Sequence, residues 1–268
     1  MSVYNQNIVI TAAARTAIGS FRGSLKDMQA NDLGALVVKA AMKKSNLNSK
    51  DIDEVIMGQV LTASCGQNPA RQASINAGIP NEITAFTINQ VCGSGLRSIA
   101  LGWQSIINNE SEIVVAGGQE NMTQAPHCFH LRQAGNIGDA EMIDSMIKDG
   151  IWDIFNGYHM GITAENVAEK WNISRKDQDN FSLSSQLKTQ EAIKNKRFKE
   201  EMIQGNILKD EHPREDITIE SLSKLKPAFK KNGTVTAGNS SGVNDGAAAV
   251  ILMTRDEADK RNLKPLAK

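Results

Sequence analysis

The sequence has 268 residues, 40% hydrophobic and 22% charged, and its 30 basic side chains balance 30 acidic ones. That is the composition of a soluble globular protein long enough for one large domain or two ordinary ones. The zero net charge speaks against a nucleic-acid binder, which carries a basic excess.

The N-terminus, MSVYNQNIVITAAART, lacks the basic start and apolar core of a secretory signal. Within it Asn7–Ala13 (NIVITAA) reads as a first strand. Asn31–Leu47 carries apolar residues at Leu33, Leu36, Val37, Ala40 and Ala41, which is helical spacing. Glu54–Val60 (EVIMGQV) is a second strand. Asn68–Gly78 is a short helix in which Asn68 caps the start, Pro69 suits the first turn and Gly78 the end. Ile83–Asn89 (ITAFTIN) is a third strand. Leu96, Ile99, Ala100, Trp103, Ile106 and Ile107 then mark one face of a helix, and Ser111–Gly118 (SEIVVAGG) is a fourth strand. Strands joined by helices of this size imply parallel pairing in a layered α/β sheet. The alternation stops near Glu120. Residues 121–243 hold helices at Gly161–Trp171 and from Ser174, which forms a capping box with Asp177, among long polar stretches. The short basic run Lys194–Lys199 reads as a solvated helix end. So long a segment without alternation reads as an inserted subdomain. Gly246–Thr254 resumes a buried strand, and Thr254 with Glu257 starts a last helix. The expected division is 1–120 plus 244–268 for the sheet domain and 121–243 for the insertion.

No apolar run reaches bilayer length, so no membrane partner is expected. The three cysteines, Cys65, Cys92 and Cys128, show no CxxC spacing, and the four histidines form no ligand constellation; neither a disulfide framework nor a metal site is expected. A reducing cytoplasm is the expected location.

Cys92 sits between the third strand and the following helix, in TINQVCGSGLRS. Three readings compete there. Free cysteine packs as a small buried hydrophobe, and that reading serves for Cys65 and Cys128. A thiol at a helix N-terminus meets unpaired N–H groups and the positive end of the helix dipole, which favour a thiolate. Gly93 and Gly95 add room for a substrate or another backbone; together these make a strand–nucleophile–helix elbow. Alternatively Gly93–Ser98 approximates a GxGxxG dinucleotide turn, but Ser98 stands at the third glycine and the match follows a later strand, which ranks it below the nucleophile.

NQVCGSG (Asn89–Gly95) resembles the nucleophile motif of the thiolases. GQNPARQA (Gly66–Ala73), GGQENMTQAPH (Gly117–His127), YHMGITAENVA (Tyr158–Ala168) and KPAFKKNGTVTAGNSSGVNDGAAA (Lys226–Ala249) resemble the same family, in family order. The resemblance implies a thiolase-like layered α/β fold, the first of two similar halves, with a mostly α loop subdomain inserted. It implies acyl transfer between coenzyme A thioesters: two acetyl-CoA give acetoacetyl-CoA and CoA, or the reverse. Cys92 matches the acyl-accepting cysteine. His159 and Met160 match residues lining the acyl pocket, Arg214 and Ser221 residues near the CoA nucleotide, and Ala237, Gly238 and Ser241 residues along the pantetheine. HMG (His159–Gly161) favours the short-chain, acetoacetyl-CoA-forming branch. CoA thioesters are substrates, so no cofactor is implied. A homo-oligomer, dimer or tetramer, is implied, with tetramer contacts after Asn121.

Taken alone, His159 reads as a satisfied structural histidine, Arg214 as a solvated arginine suited to phosphate, and Ser241 as a turn residue. The second thiolase half supplies a GHP-type histidine, an Asn-Glu-Ala-Phe segment and a CxG-type cysteine, and none of these motifs occurs in the 268 residues. General acid–base assistance is worth roughly 10²–10⁴-fold and an oxyanion donor on the order of 10²–10³-fold. The expectation is therefore a truncated chain of impaired activity with an exposed apolar face. The alternative is an inactive CoA-binding or self-associating remnant.

Overall fold

The computed structural model describes residues 7–130, 132, 139, 141–203 and 209–268. In chain order its elements are β1 (Ile8–Arg15), β2 (Gly19–Ser20), α1 (Ala30–Lys44), β3 (Glu54–Gly58), α2 (Pro69–Asn76), β4 (Thr84–Ile88), α3 (Ser94–Ile107) and β5 (Ile113–Asn121). Then come four two-residue strands, β6 (His127–Cys128), β7 (Ile143–Asp144), β8 (Trp152–Asp153) and β9 (Tyr158–His159). α4 (Met160–Lys170), α5 (Arg175–Lys194), α6 (Ile219–Ser223), β10 (Asn244–Thr254) and α7 (Arg255–Lys260) follow. The chain divides into two compact units, Met1–Ala125 with Glu201–Lys209 and Asn244–Lys268, and Pro126–Glu200 with Asp210–Val243.

The first unit is built on a six-stranded sheet of order β1-β10-β5-β3-β4, with β2 also pairing to β10. β3 is parallel to β4 and to β5. β10, whose direction the sequence reading left open, is antiparallel to both β1 and β5. Only strands linked by a crossover helix must run the same way. β10 returns from the second unit without such a helix, and it fills the place between β1 and β5. Side chains alternate across the sheet as the strand period requires. Val55, Met57, Ile113, Val115, Ile251 and Met253 join Leu33, Val37, Val38 and Ala41 of α1 in one buried cluster. Ile56, Val114, Ala116 and Leu252 join Ile106 and Ile107 of α3 in another.

α3 meets the sheet through Ser94, Ser98, Gly102 and Ser105 as well as its two C-terminal isoleucines. The apolar stripe read from the sequence is split: Ile106 and Ile107 are buried and Ile99 packs on their cluster, but Leu96 is 75% exposed and Trp103 44%. Small residues win the inner face because the helix lies so close. A Cβ on Gly102 would stand 2.8 Å from Leu252 Cδ1, and Ser98 Oγ donates to the Gly117 carbonyl at 2.7 Å.

The second unit holds α4, α5, α6 and the ribbons β6-β7 and β8-β9. Ser174 and Asp177 form a reciprocal capping box on α5, and Thr218 with Ser221 does the same on α6. A hairpin closes between Pro227 and Thr236, with the Ala228 N–H donating to the Val235 carbonyl at 2.9 Å.

Candidate active site

The elbow that presents Cys92 is made locally. Val91 has φ +49°, a left-handed conformation that costs a β-branched residue about 1–3 kcal/mol. Two neighbouring side chains hold it there. Asn89 Oδ1 accepts the Val91 N–H at 2.9 Å. Ser94 Oγ accepts the Gln90 N–H at 2.8 Å and donates to the Val91 carbonyl at 2.6 Å. Ser94 is buried, whereas Cys92 is exposed, which disfavours the packing reading. α3 begins two residues later without any side-chain cap, so first-turn N–H groups remain open to an anion.

The glycines around the elbow have a specific use. A Cβ on Gly58 would lie 2.6 Å from the Ser94 backbone carbonyl carbon. A Cβ on Gly118 would lie 3.4 Å from Gly95 Cα. Gly58 and Gly118 on the strands therefore let the helix N-terminus approach β3 and β5 closely, while a Cβ on Gly95 itself would come no nearer than 4.0 Å to Gly118 Cα. On the preceding loop, Asn68 caps α2 by accepting the Arg71 N–H at 3.3 Å and anchors it to β4 through the Ala85 carbonyl at 2.8 Å.

Burial pushes the Cys65 thiol up, and the Glu120 charge adds to this against a hydrogen bond from Gln59. Such a thiol is a poor nucleophile at neutral pH. Burial also raises Glu120, whose Oε2 accepts the Val60 and Leu61 N–H groups at 2.9 and 3.2 Å while its Oε1 is buried without a partner.

The other seven candidates lie in the second unit. His159 is the N-cap of α4: its Nδ1 accepts the Gly161 N–H at 2.9 Å, and its ring stacks on Phe229 at 4.9 Å between centroids. In a neutral imidazole that bond leaves the proton on Nε2, as a donor. Met160 is 40% exposed. Arg214 is exposed; its N–H donates to Gln186 and its carbonyl accepts from Gln190. The Ser221 hydroxyl is engaged in the α6 capping box with Thr218. Ala237 and Ser241 are exposed. Gly238 is half-buried against Leu222 and Leu225, where a Cβ would stand 2.6 and 2.5 Å from their methyl groups. So α6, which carries Ser221, packs on the Gly238 segment through Leu222.

Reading the sequence did not single out Asn89, Ser94, Glu165, Asp179 or Phe229. A serine two residues after a cysteine at a helix start is a usable signal for Ser94. Glu165 and Asp179 look like solvated helix residues, yet they are 4% and 2% exposed. Asp179 accepts Arg175 Nε at 2.7 Å and Asn239 Nδ2 at 3.0 Å, and Arg175 also donates to the Leu222 and Leu225 carbonyls. Among the described residues no group of three or more His, Cys, Asp or Glu could hold a metal, and no helix is long and apolar enough to cross a membrane.

Residues 8–256 match the family profile described as "Thiolase, N-terminal domain". The chain is 52% identical to an acetyl-CoA acetyltransferase of Rhizobium meliloti, covering 98% of this chain and 70% of that relative. It is 51% identical to one of Paracoccus denitrificans, over 97% of this chain and 69% of the relative. It is 50% identical to a probable acetyl-CoA acyltransferase of Staphylococcus aureus, over 97% and 69%.

Proposed function

The chain belongs to the thiolase family, enzymes of acyl transfer between CoA thioesters, and from that premise we propose that Cys92 is its acyl-accepting nucleophile. The observation that carries this is the exposed thiol on a strained elbow in front of an uncapped helix. The Cys92 thiolate attacks the acetyl carbonyl of acetyl-CoA, the carbon–sulfur bond to CoA breaks, and CoA leaves as the thiol with a proton. The Cys92 N–H helps hold the tetrahedral oxyanion. A second acetyl-CoA then loses an α-proton, which replaces the one CoA carried off, and its carbanion attacks the acetyl carbon and expels the Cys92 thiolate. The product is acetoacetyl-CoA; free CoA drives the reverse cleavage. In this reading the second unit is the CoA-binding loop domain. His159, offering its Nε2–H, and Met160 line the acyl pocket, Arg214 and Ser221 meet the nucleotide, and Ala237, Gly238 and Ser241 flank the pantetheine. The working assembly is a homo-oligomer in the cytoplasm.

One observation favours a second reading, CoA binding without turnover. All four histidines, at 127, 130, 159 and 212, fall in the second unit, so the unit that carries Cys92 has no imidazole of its own. Intact-mass analysis after incubation with acetyl-CoA separates the two. The nucleophile reading expects one added acetyl group on the peptide containing Cys92 and none in Cys92→Ser. No acetylation under conditions that load a longer relative sinks it. CoA binding by calorimetry in that same sample supports the second reading.

A further inference from the structure

Glu165 lies on α4, well inside the second unit, and no step of the acyl transfer uses it. It is 4% exposed, and among the described residues no basic side chain takes its carboxylate as a hydrogen-bond acceptor. What it holds is backbone. The Thr234 N–H donates to both oxygens at 2.9 Å, the Val235 N–H to Oε1 at 2.8 Å, and Thr234 Oγ1 to Oε2 at 3.0 Å. A carboxylate is the one side chain that accepts all of these without presenting a donor of its own. The approach is close enough to need Gly233, where a Cβ would fall 2.2 Å from Glu165 Oε1. The far end of the segment is tied by Asn239, which donates to the Thr234 carbonyl at 3.1 Å and accepts the Thr236 N–H at 2.7 Å. Ser182 donates to the Gly238 carbonyl. So the backbone of 234–238 is turned inward onto α4 and α5, and Ala237 is held out to solvent.

We propose that Glu165 is a positioning residue for the Thr234–Ser241 segment, and that its grip on the two amides sets the affinity of that segment for the pantetheine arm of CoA. This rests on the reading of Ala237, Gly238 and Ser241 as the wall of that arm. The same helix carries His159 at its N-cap and Met160 at its first position. One rigid element therefore fixes both the acyl-side residues and the pantetheine wall in mutual register, which lowers the ordering cost of binding.

The test uses the whole chain and CoA itself. Glu165→Gln keeps the volume but turns an N–H₂ donor toward the Thr234 donors. It is expected to weaken CoA binding about tenfold by calorimetry and to speed hydrogen exchange at the Thr234 and Val235 amides. The rate of Cys92 alkylation by iodoacetamide is expected to stay at the wild-type value. Gly233→Ala, which pushes the carboxylate aside without altering it, is expected to weaken CoA binding in the same direction, and it decides the matter if Glu165→Gln fails to fold. Wild-type CoA affinity in either folded variant overturns the proposal, and a fall in melting temperature alone does not rescue it. No CoA binding by the wild-type chain sinks the underlying reading and this one with it, while the exchange rates still report whether the grip exists.

Discussion

The Cys92 elbow and the Thr234–Ser241 segment are both short irregular stretches held in defined shapes, but by opposite means. The elbow is tied by its own neighbours: Asn89 bonds two residues along, and Ser94 three and four residues back. The Thr234 segment is tied by helices far away in sequence, with Glu165 69 residues from Thr234 and Asp179 60 residues from Asn239. Local bonds reform each time the chain passes through the right turn. Remote bonds exist only when the unit is folded, so the second segment depends on packing in a way the first does not.

The largest expected effect comes from cutting the remote ties. Asp179 is 2% exposed and carries both Arg175 and Asn239. Asp179→Ala removes the charged acceptor of Arg175, which keeps the Leu222 and Leu225 carbonyls, and one acceptor of Asn239, which keeps the Thr234 carbonyl; the cost is about 3 kcal/mol, the low end for broken buried pairs. Denaturant unfolding checks the magnitude. Exchange measurements check the place: protection is lost in α5, in α6 and across 234–239 while the sheet amides keep theirs. Equal loss in both units breaks the comparison.

Next is the close approach beneath the elbow. Gly58→Ala sets a methyl 2.6 Å from the Ser94 backbone, and the strain of such overpacking is typically about 1–3 kcal/mol. The helix N-terminus must retreat, so Cys92 acetylation is expected to slow along with the loss of stability, whereas CoA affinity holds. Ser94→Ala is milder. It removes two hydrogen bonds at a cost of about 1 kcal/mol each, and Val91 is then free to leave its left-handed conformation. The expected reading is a slower acetylation of Cys92 with a melting temperature lowered by roughly a few degrees.

What the sequence made legible follows the same division. Cys92 before a helix, the Asn68–Pro69 start of α2 and the Ser174–Asp177 box are local patterns, and each appears in the structure where the pattern stood. The antiparallel β10 was not legible, because strand direction depends on the path of the intervening chain rather than on the strand's own residues. The outward face of α3 was misleading for another reason. Periodicity reports which residues share a side, and it does not say that the side with Leu96 and Trp103 faces away while serines and Gly102 meet the sheet. Glu165 and Asp179 left no signal at all, because a carboxylate on a polar helix has the same local sequence whether it meets water or a buried amide. Seven of the eight candidate residues came from family motifs and not from spacing, and all seven fall within the 121–243 insertion that the sequence reading marked.

The smallest expected effect is a difference in pH response between the units. Burial alone would raise Glu165, but the Thr234 and Val235 N–H groups, the Thr234 hydroxyl and the Lys230 charge outweigh it and hold the carboxyl below its ordinary value. A depressed acid stabilises the fold at pH above the ordinary carboxylate range, and that stabilisation is lost as pH falls through the folded value. Glu120 runs the other way. Burial lifts it, with the Asp245 charge adding to the lift against the Val60, Leu61 and Asn121 N–H groups. A raised acid contributes stability that is complete below the ordinary carboxylate range and is lost as pH rises through the folded value. Acidification from neutral pH is therefore expected to strengthen the sheet unit at Glu120 while it weakens the second unit at Glu165. Amide exchange followed against pH reads the two units separately. Glu120→Gln retains an oxygen for the Val60 and Leu61 N–H groups and is expected to remove the sheet unit's share of the pH dependence, leaving the second unit's slope as it was. If the slope in the sheet unit survives that substitution, Glu120 is not its source.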